Sequence, residues 1–307
     1  MANTAFIFPG QGSQYVGMGR DLFENDPRAK ALFDRADTAL GFSLSRICFE
    51  GPEEVLQQTK NTQPAIFLHS VIIFDLIKES RPMMMTAGHS LGEYSALVAS
   101  GALSFEDGLA LVRKRGELMQ HAGLAHPGTM AAVVGLGPAV IEEICSEVAA
   151  NEVVQAANFN SPGQVVISGS VDAVRRAMER AKARGAKLVK ELSVSGAFHS
   201  PLMESACDGL RDVLEQTDIR NATVPVYANV TAKPVQEARE IRDLLYQQLT
   251  HPVRWEESVM NMASDGATTF VECGPGKVLQ GLVKRILGAV EISGIEKITD
   301  ISAKVAT

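Results

Sequence analysis

The sequence predicts an α/β fold in which a small sheet is inserted into a larger, parallel one. Apolar strand segments alternate with helical segments as far as residue 124, and the same alternation returns after residue 196. Residues 125–196 instead read strand, helix, strand, strand, helix, strand, which is the order of a ferredoxin-like unit. We therefore expect a hydrolase-like parallel-sheet core at residues 1–124 and 197–307, with a ferredoxin-like subdomain at residues 125–196.

The amino-acid composition is that of a globular protein. An apolar content of 46% in 307 residues is enough to form real cores, and the longest apolar runs are too short to span a bilayer. The four cysteines lie far apart without CxxC spacing, which predicts reduced thiols and neither a disulfide framework nor a metal site. A net charge of −7 argues against nucleic acid as the main partner. Residues 1–4 show no basic start or apolar signal segment, so we expect a cytoplasmic protein.

The core begins with a strand and a glycine-rich loop. Residues 5–8 are apolar and predict a buried strand, which runs into the loop at residues 9–14. No Gly-Lys-Ser or Gly-Lys-Thr follows, and the third glycine of a dinucleotide fingerprint would fall on Tyr15. The loop is therefore expected to offer backbone donors and not to cradle a phosphate. Helices of the first half are predicted near residues 21–40, 52–59, 64–79 and 105–121.

A serine between two glycines follows the next strand, which is predicted at residues 83–87. Gly88 and Gly92 lie two residues before and after Ser90, and a helix is predicted at residues 94–100. A turn that lifts a serine hydroxyl above a sheet strains the serine backbone and leaves no room for side chains at those two positions. The pattern predicts a nucleophile elbow, whose hydroxyl stands over a helix N-terminus that favours negative charge.

The rest of the chain continues the two patterns. In the inserted subdomain, strands are predicted at residues 130–134, 153–157, 165–167 and 186–192, and helices at 139–149 and 171–184. The core then resumes with helices at residues 202–216 and 239–249, strands at 224–227 and 269–272, and a last helix from about residue 277.

A serine hydroxyl needs a base to act as a nucleophile near neutral pH, and His199 is the best placed of the six histidines. It comes just before a helix with proline near its start, and a helix N-terminus keeps an imidazole neutral. His89 adjoins the serine but is expected to point away, and His69 is expected to be a hydrogen-bonded core histidine. A surface histidine without function is the alternative for His199 that the sequence leaves open.

Arg115 falls on the apolar stripe of the helix predicted at residues 105–121. An arginine that is directed into a core needs a carboxylate partner. That carboxylate belongs either to an internal Asp or Glu or to a substrate, which the guanidinium would bind with two hydrogen bonds. The spacing of the residues does not decide between these two partners.

Seven sequence blocks along essentially the whole chain resemble the malonyl-CoA:acyl-carrier-protein transacylases and occur in that family's order. They are FPGQGSQ at residues 8–14, GHSLGEY at 88–94, VRKRG at 112–116, NFNSPGQ at 158–164, AFHS at 197–200, the segment 248–255, and ECGPGK at 272–277. The resemblance implies a transferase that moves malonyl from malonyl-CoA to a serine and then to the phosphopantetheine thiol of a holo acyl carrier protein. It implies a place in fatty acid biosynthesis, with no metal and no redox cofactor.

The same resemblance assigns catalytic roles to individual residues. It implies that Ser90 accepts the acyl group and that His199 is its base. Gln248 would take the place of a triad aspartate and orient the histidine through a carbonyl. The backbone amides of Gln11 and Leu91 would form the oxyanion hole.

Three further residues are implied in substrate binding and two in docking of the carrier protein. Arg115 would hold the malonyl carboxylate, Phe198 would disfavour a 2-methyl branch, and Asn160 would contact substrate. An acidic carrier protein needs local positive charge on a chain whose net charge is −7. Similarity to the family places Lys187 and Arg285 at the cleft mouth. They belong to a larger basic set, whose alternative meaning is a solvated helix face: Arg175, Arg176, Arg180, Lys182, Arg184, Lys187, Lys190, Lys284 and Arg285.

Other functions remain open from the sequence. The same chemistry in a polyketide pathway cannot be separated from fatty acid synthesis. A serine hydrolase would share the elbow but has no use for a buried arginine facing the acyl group. A carrier-binding module without catalysis would not need both Ser90 and His199. We expect a monomer that has no membrane or nucleic acid partner.

Overall fold

The fold contains ten strands in two sheets, within residues 3–305 of a computed structural model that describes side chains as far as residue 301. In chain order the strands are β1 (Thr4–Phe8), β2 (Met83–Gly88), β3 (Gly128–Val134), β4 (Val154–Ser161), β5 (Gln164–Ser170), β6 (Leu188–Glu191), β7 (Val226–Tyr227), β8 (Pro234–Val235), β9 (Thr269–Cys273) and β10 (Glu291–Ile295). The larger sheet has the order β10-β9-β1-β2-β7-β8, and the smaller one β4-β5-β3-β6.

Helices cover both sheets. In chain order they are α1 (Arg20–Asn25), α2 (Pro27–Leu40), α3 (Leu44–Glu50), α4 (Glu53–Leu56), α5 (Thr59–Ile77), α6 (Gly92–Ala99), α7 (Phe105–Ala125), α8 (Pro138–Ala149), α9 (Val171–Ala183), α10 (Glu204–Gln216), α11 (Ala238–Gln247), α12 (Trp255–Ser264), α13 (Val278–Leu287) and α14 (Ile298–Val305). A single 3₁₀ turn, Pro201–Met203, precedes α10. Across the residues that are described, no helix is both long and apolar enough to cross a membrane.

β1 lies inside the larger sheet, parallel to both β2 and β9, and all five of its residues are buried. Phe6 packs on one face, where its ring lies edge-on to Phe74 of α5 at 5.4 Å between centroids. Ile7 faces the other way and shares a core cluster with Trp255 of α12. Because helices cover both faces, residues 5–8 of the strand are all apolar and do not alternate with polar residues.

The smaller sheet is antiparallel. The chain passes through this subdomain in the order β3, α8, β4, β5, α9 and β6. Its strand order and connections are those of a ferredoxin-like unit, which confirms the predicted fold class. Ala131 and Val133 of β3 face the cluster under α8 and α9. Met130 and Val166 point to the opposite side and join the main core together with Phe198. The domain boundaries at residues 124 and 196 stay predictions.

Two helices replace the single one predicted near residues 21–40. The break is at Asp26, whose carboxylate accepts hydrogen bonds from the amides of Arg28 and Ala29 and so caps α2. His69 is buried as expected, but neither ring nitrogen has a hydrogen-bond partner among the described residues. The prediction of a hydrogen-bonded histidine at this position is therefore wrong.

Several elements escaped the sequence analysis: α3, α12, β8, β10 and α14. The helix predicted from residue 277 ends at Leu287, and β10 and α14 follow it. β10 is an edge strand that contains Gly294 and buries only Ile295, so it lacks the apolar run of a central strand. Its pattern is therefore too weak to indicate a strand without the neighbouring β9.

Candidate active site

The sharp turn after β2 places Ser90 at the end of the larger sheet. Ser90 has a left-handed backbone with φ of 51°. A Cβ on Gly88 would collide with the backbone of Gly92, and a Cβ on Gly92 would collide with the carbonyl of Phe8. Both glycines are thus required where the turn closes on itself and on β1, which is the steric condition of a nucleophile elbow.

The side-chain amide of Asn229 stabilises this strained turn with two hydrogen bonds. Its Oδ1 accepts a 2.6 Å hydrogen bond from the Ser90 amide, and its Nδ2 donates to the Gly88 carbonyl at 2.7 Å. Asn229 is fully buried and follows β7, the strand next to β2 in the sheet. Asn229 cannot be recognised from the sequence, because only the pairing of β2 with β7 brings residue 229 to the elbow.

His199 lies opposite Ser90, in the loop between β6 and the 3₁₀ turn. Its Nε2 is 2.8 Å from Ser90 Oγ, and its Nδ1 is 2.8 Å from the main-chain carbonyl of Gln248. Because a carbonyl only accepts, Nδ1 carries the proton, and the lone pair of Nε2 faces the hydroxyl. Gln155 of β4 anchors this loop by donating to the His199 carbonyl at 2.9 Å. The pair has the geometry for removal of a proton from Ser90.

The surroundings of His199 keep its imidazole neutral. Burial, and after it the positive charge of Arg115, lower the pKa of His199 to about 3, although the hydrogen bond to Gln248 opposes both. The sequence indicated a helix N-terminus as the cause, whereas the structure shows burial first and a neighbouring cation second. The base is therefore deprotonated throughout the neutral pH range.

Arg115 of α7 is buried beside the serine and makes no ion pair within the described residues. Its Nη1 donates to Gln63 Oε1 at 2.9 Å, and its Nη2 donates to Gln248 Oε1 at 2.9 Å and to Ser90 Oγ at 3.1 Å. The guanidinium also lies over the ring of Tyr94, 5.5 Å from its centroid. The sequence left two partners open for Arg115, an internal carboxylate and a substrate carboxylate. No internal carboxylate forms an ion pair with Arg115 among the described residues.

A cavity of about 200 Å³ lies between the two sheets and ends at Ser90. The site residues predicted to touch substrate all line it: Gln11, Ser90, Leu91, Arg115, Asn160, Phe198 and His199. Gln248 lies outside this lining, behind Arg115 and His199. The amides of Gln11 and Leu91 have no hydrogen-bond acceptor among the described residues, so both are available to an oxyanion.

Asn160 connects the smaller sheet to the elbow. Its Oδ1 is 2.8 Å from Nε2 of His89, whose ring lies 5.7 Å from that of Trp255. His89 thus points away from Ser90 toward β4, as its position on the turn predicted. Asn160 has this structural contact in addition to its place in the cavity wall, and its contact with substrate stays a prediction.

Most of the basic cluster on the inserted subdomain is neutralised. Arg175, Arg176, Arg180 and Arg184 form ion pairs with Glu191, Glu152, Glu147 and Glu143, respectively. Of the two meanings that the sequence left open, these four arginines fit the solvated helix face, because α8 and its following loop supply most of their acidic partners. Lys182, Lys187 and Lys190 form no ion pair within the described residues.

Lys187 and Arg285 belong to segments that lie next to the turn between β4 and β5. Arg285 donates to the Gln164 carboxamide, and Gln164 lines the cavity. The main-chain amide of Lys187 donates to the carbonyl of Val134. The amide of Gly135, which follows Val134, donates to the carbonyl of Gly163 in the turn. Both side chains are exposed, and neither lines the cavity.

Among the described residues, no group of three His, Cys, Asp or Glu side chains could hold a metal ion.

Three further side chains belong to the site and were not predicted from the sequence: Gln63, Glu93 and Asn229. Only Glu93 stood within a recognised motif, three residues after Ser90.

Known acyl transferases are similar to this chain over nearly its whole length. Residues 5–300 match the family described as the acyl transferase domain. The malonyl CoA-acyl carrier protein transacylase of Bacillus subtilis (strain 168) is 50% identical over 288 residues, which are 93% of this chain and 91% of the relative. The solved malonyl CoA-acyl carrier protein transacylase of Coxiella burnetii has a TM-score of 0.96 and 42% identity, over 99% of this chain and 97% of that chain. A malonyl-transacylase solved in complex with a type II PKS acyl-carrier protein has a TM-score of 0.96 and 41% identity, over 99% of both chains.

The neutral state of His199 leads to a pH prediction. We expect the rate at which a sulfonyl fluoride modifies Ser90 to stay level from about pH 8 to about pH 5, because the imidazole keeps its lone pair. A histidine with the ordinary pKa of 6.5 would lose about 30-fold over that range. Mass spectrometry of samples stopped at successive times measures the rate, with Ser90→Ala as the background. A titration midpoint near 6.5 contradicts the prediction.

Proposed function

Because this chain belongs to the acyl transferase family and is related over its full length to malonyl CoA-acyl carrier protein transacylases, we propose how its residues transfer malonyl. The chain is an acyl-carrier-protein S-malonyltransferase: it transfers malonyl from malonyl-CoA to the phosphopantetheine thiol of acyl carrier protein. The observation that carries the assignment of residues is the contact of Ser90 Oγ with both His199 and Arg115.

In the first half-reaction, Ser90 Oγ attacks the thioester carbonyl of malonyl-CoA. His199 Nε2 takes the hydroxyl proton and then gives it to the departing sulfur of coenzyme A. The carbonyl oxygen becomes negative in between and accepts hydrogen bonds from the amides of Gln11 and Leu91. In the second half-reaction, the carrier's thiol attacks the malonyl ester, its proton passes through His199 to Ser90, and the hydroxyl is restored.

The guanidinium of Arg115 is the group that recognises malonyl. Its acceptors are neutral amide and hydroxyl oxygens, so its positive charge is balanced by no contacting carboxylate and is suited to the one in the substrate. Acylation turns Ser90 Oγ into a weakly accepting ester oxygen, and Nη2 is then released toward the malonyl carboxylate. Phe198 is buried in the cavity wall, where its bulk would meet a 2-methyl branch.

Two alternatives are less well supported. A serine hydrolase would share Ser90 and His199 but would have no use for a buried guanidinium that faces the acyl group without a contacting carboxylate. A polyketide role uses the same chemistry, and one similar structure is a malonyl-transacylase with a type II PKS carrier protein. We assign the chain to fatty acid synthesis and expect a cytoplasmic monomer. The genes next to that of this protein would distinguish fatty acid synthesis from a polyketide pathway.

The carrier protein is proposed to dock on the rim formed by Lys187 and Arg285. These two exposed cations belong to segments next to the turn before Gln164, a residue of the cavity wall, whereas the arginines of α9 are paired with carboxylates. An acidic carrier protein would therefore find its positive charge at the cavity mouth and not on the outer helix face.

The nucleophile and base are tested by isolating the acyl-enzyme. Ser90→Ala is expected to abolish the covalent malonyl-enzyme after incubation with radiolabelled malonyl-CoA. His199→Ala is expected to slow its formation by about 10³-fold, because the hydroxyl loses its base. Release of the label by holo carrier protein completes the assay. A hydroxylamine-sensitive label that persists in Ser90→Ala shows that another residue is acylated.

The docking surface is tested by reversing both rim charges. A Lys187→Glu, Arg285→Glu double variant should raise the KM for carrier protein several-fold, more at low salt than at high salt, and leave acylation by malonyl-CoA nearly unchanged. Lys182→Glu, on an exposed part of the same subdomain, is the matched control and should leave this KM unchanged. An unaltered KM in the double variant across the salt range places the docking site elsewhere.

A further inference from the structure

Glu93 is a buried carboxyl group to which the proposed mechanism gives no part. It lies in the first turn of α6, three residues after Ser90, and its exposed fraction is 3%. It forms no ion pair within the described residues. Its carboxylate oxygen Oε2 instead accepts hydrogen bonds from the Gln248 side-chain Nε2 at 2.7 Å and from the Asn229 amide at 3.0 Å. A buried carboxyl that is held only by neutral donors is costly and calls for an explanation.

The hydrogen bonds of Gln248 show what this carboxyl does. A glutamine amide has a donating end and an accepting end, and Gln248 uses both. Its Nε2 donates to Glu93 and to the Ser90 carbonyl at 3.1 Å, while its Oε1 accepts from Arg115. If the amide were flipped, its NH₂ would face the guanidinium of Arg115, and its oxygen would face two acceptors. Glu93 therefore selects the orientation that Arg115 needs.

We propose that Glu93 is a positioning residue for malonyl recognition: its carboxyl oxygen fixes the accepting end of Gln248 toward Arg115 and so aims the guanidinium at the acyl group on Ser90. The same oxygen holds the amide of Asn229, the residue that supports the elbow. The inference rests on the proposed role of Arg115 in holding the malonyl carboxylate. Glu93 itself does not line the substrate cavity, so it would influence the position of Arg115 from outside the cavity.

The role depends on the position of an acceptor oxygen and not on the charge of Glu93. Burial raises the pKa of Glu93 to about 7, against the hydrogen bonds from Asn229 and Gln248 and the charge of Arg115. Arg115 and Tyr94 are the charged and titratable groups that interact with it electrostatically. A protonated carboxyl still has a carbonyl oxygen that accepts from Gln248, so the orientation of the amide persists in both states.

Two conservative variants separate position from charge. Glu93→Gln removes the charge but keeps an accepting oxygen at the same distance, whereas Glu93→Asp keeps the charge and withdraws the oxygen by one methylene. The readout is the ratio of kcat/KM for malonyl-CoA to kcat/KM for acetyl-CoA. We expect Glu93→Gln to keep this ratio within about threefold, and Glu93→Asp to lower it about tenfold or more through loss of malonyl transfer.

Glu272→Asp is the matched control, because it shortens a second fully buried carboxyl, which caps α13 and has no hydrogen bond with Gln248 or Arg115. It should lower the melting temperature and leave the ratio unchanged. An unchanged ratio in Glu93→Asp with a similar fall in melting temperature makes Glu93 merely structural and overturns the proposal. Loss of the ratio in Glu93→Gln also overturns it, because charge is then what matters.

The unaltered protein provides a test that does not depend on how well a variant folds. The malonyl-to-acetyl ratio should stay constant from about pH 6 to about pH 8, although Glu93 changes protonation within this range. A ratio that changes with a midpoint near 7 overturns the proposal. Failure of the proposed function is distinguishable from either result, because the unaltered protein would then form no malonyl-enzyme at any pH.

Discussion

The structure depends on one buried positive charge, the guanidinium of Arg115. Taking a guanidinium out of water without a contacting carboxylate is costly, and here only amide and hydroxyl oxygens receive it. Those acceptors come from α5, from the end of α11 and from the elbow after β2, so three distant segments converge on α7. The core that joins these segments stabilises an arrangement that would be unfavourable by itself, and the charge stays available to an anionic substrate.

The same arrangement sets the chemistry of the neighbouring groups. The charge of Arg115 helps to hold the pKa of His199 low, so that the base is neutral where the enzyme works. Gln248 links the two residues, because its side-chain oxygen accepts from Arg115 and its main-chain carbonyl accepts from His199. A main-chain carbonyl orients the imidazole without adding a second negative charge beside a site that must bind the malonyl carboxylate.

The sequence predicted those parts of the site that depend on local geometry. The spacing of Gly88 and Gly92 reports a turn without room for side chains, and the stripe of α7 reports that Arg115 points inward. Gln63 and Asn229 could not be predicted in this way, because their contacts join residues 52 and 139 positions apart. The ion pairs of the α9 arginines could not be predicted for the same reason, since their acidic partners on α8 lie 33 to 41 positions away.

The most direct measurement of this account is the acyl preference of Arg115→Ala. If the guanidinium holds the malonyl carboxylate, transfer of malonyl should weaken by about 2–4 kcal/mol, or about 30- to 1,000-fold, while transfer of uncharged acetyl falls much less or rises. Rates with malonyl-CoA and acetyl-CoA, measured on the same preparation, give both values. Equal losses for the two acyl groups would contradict the account and make Arg115 a structural residue.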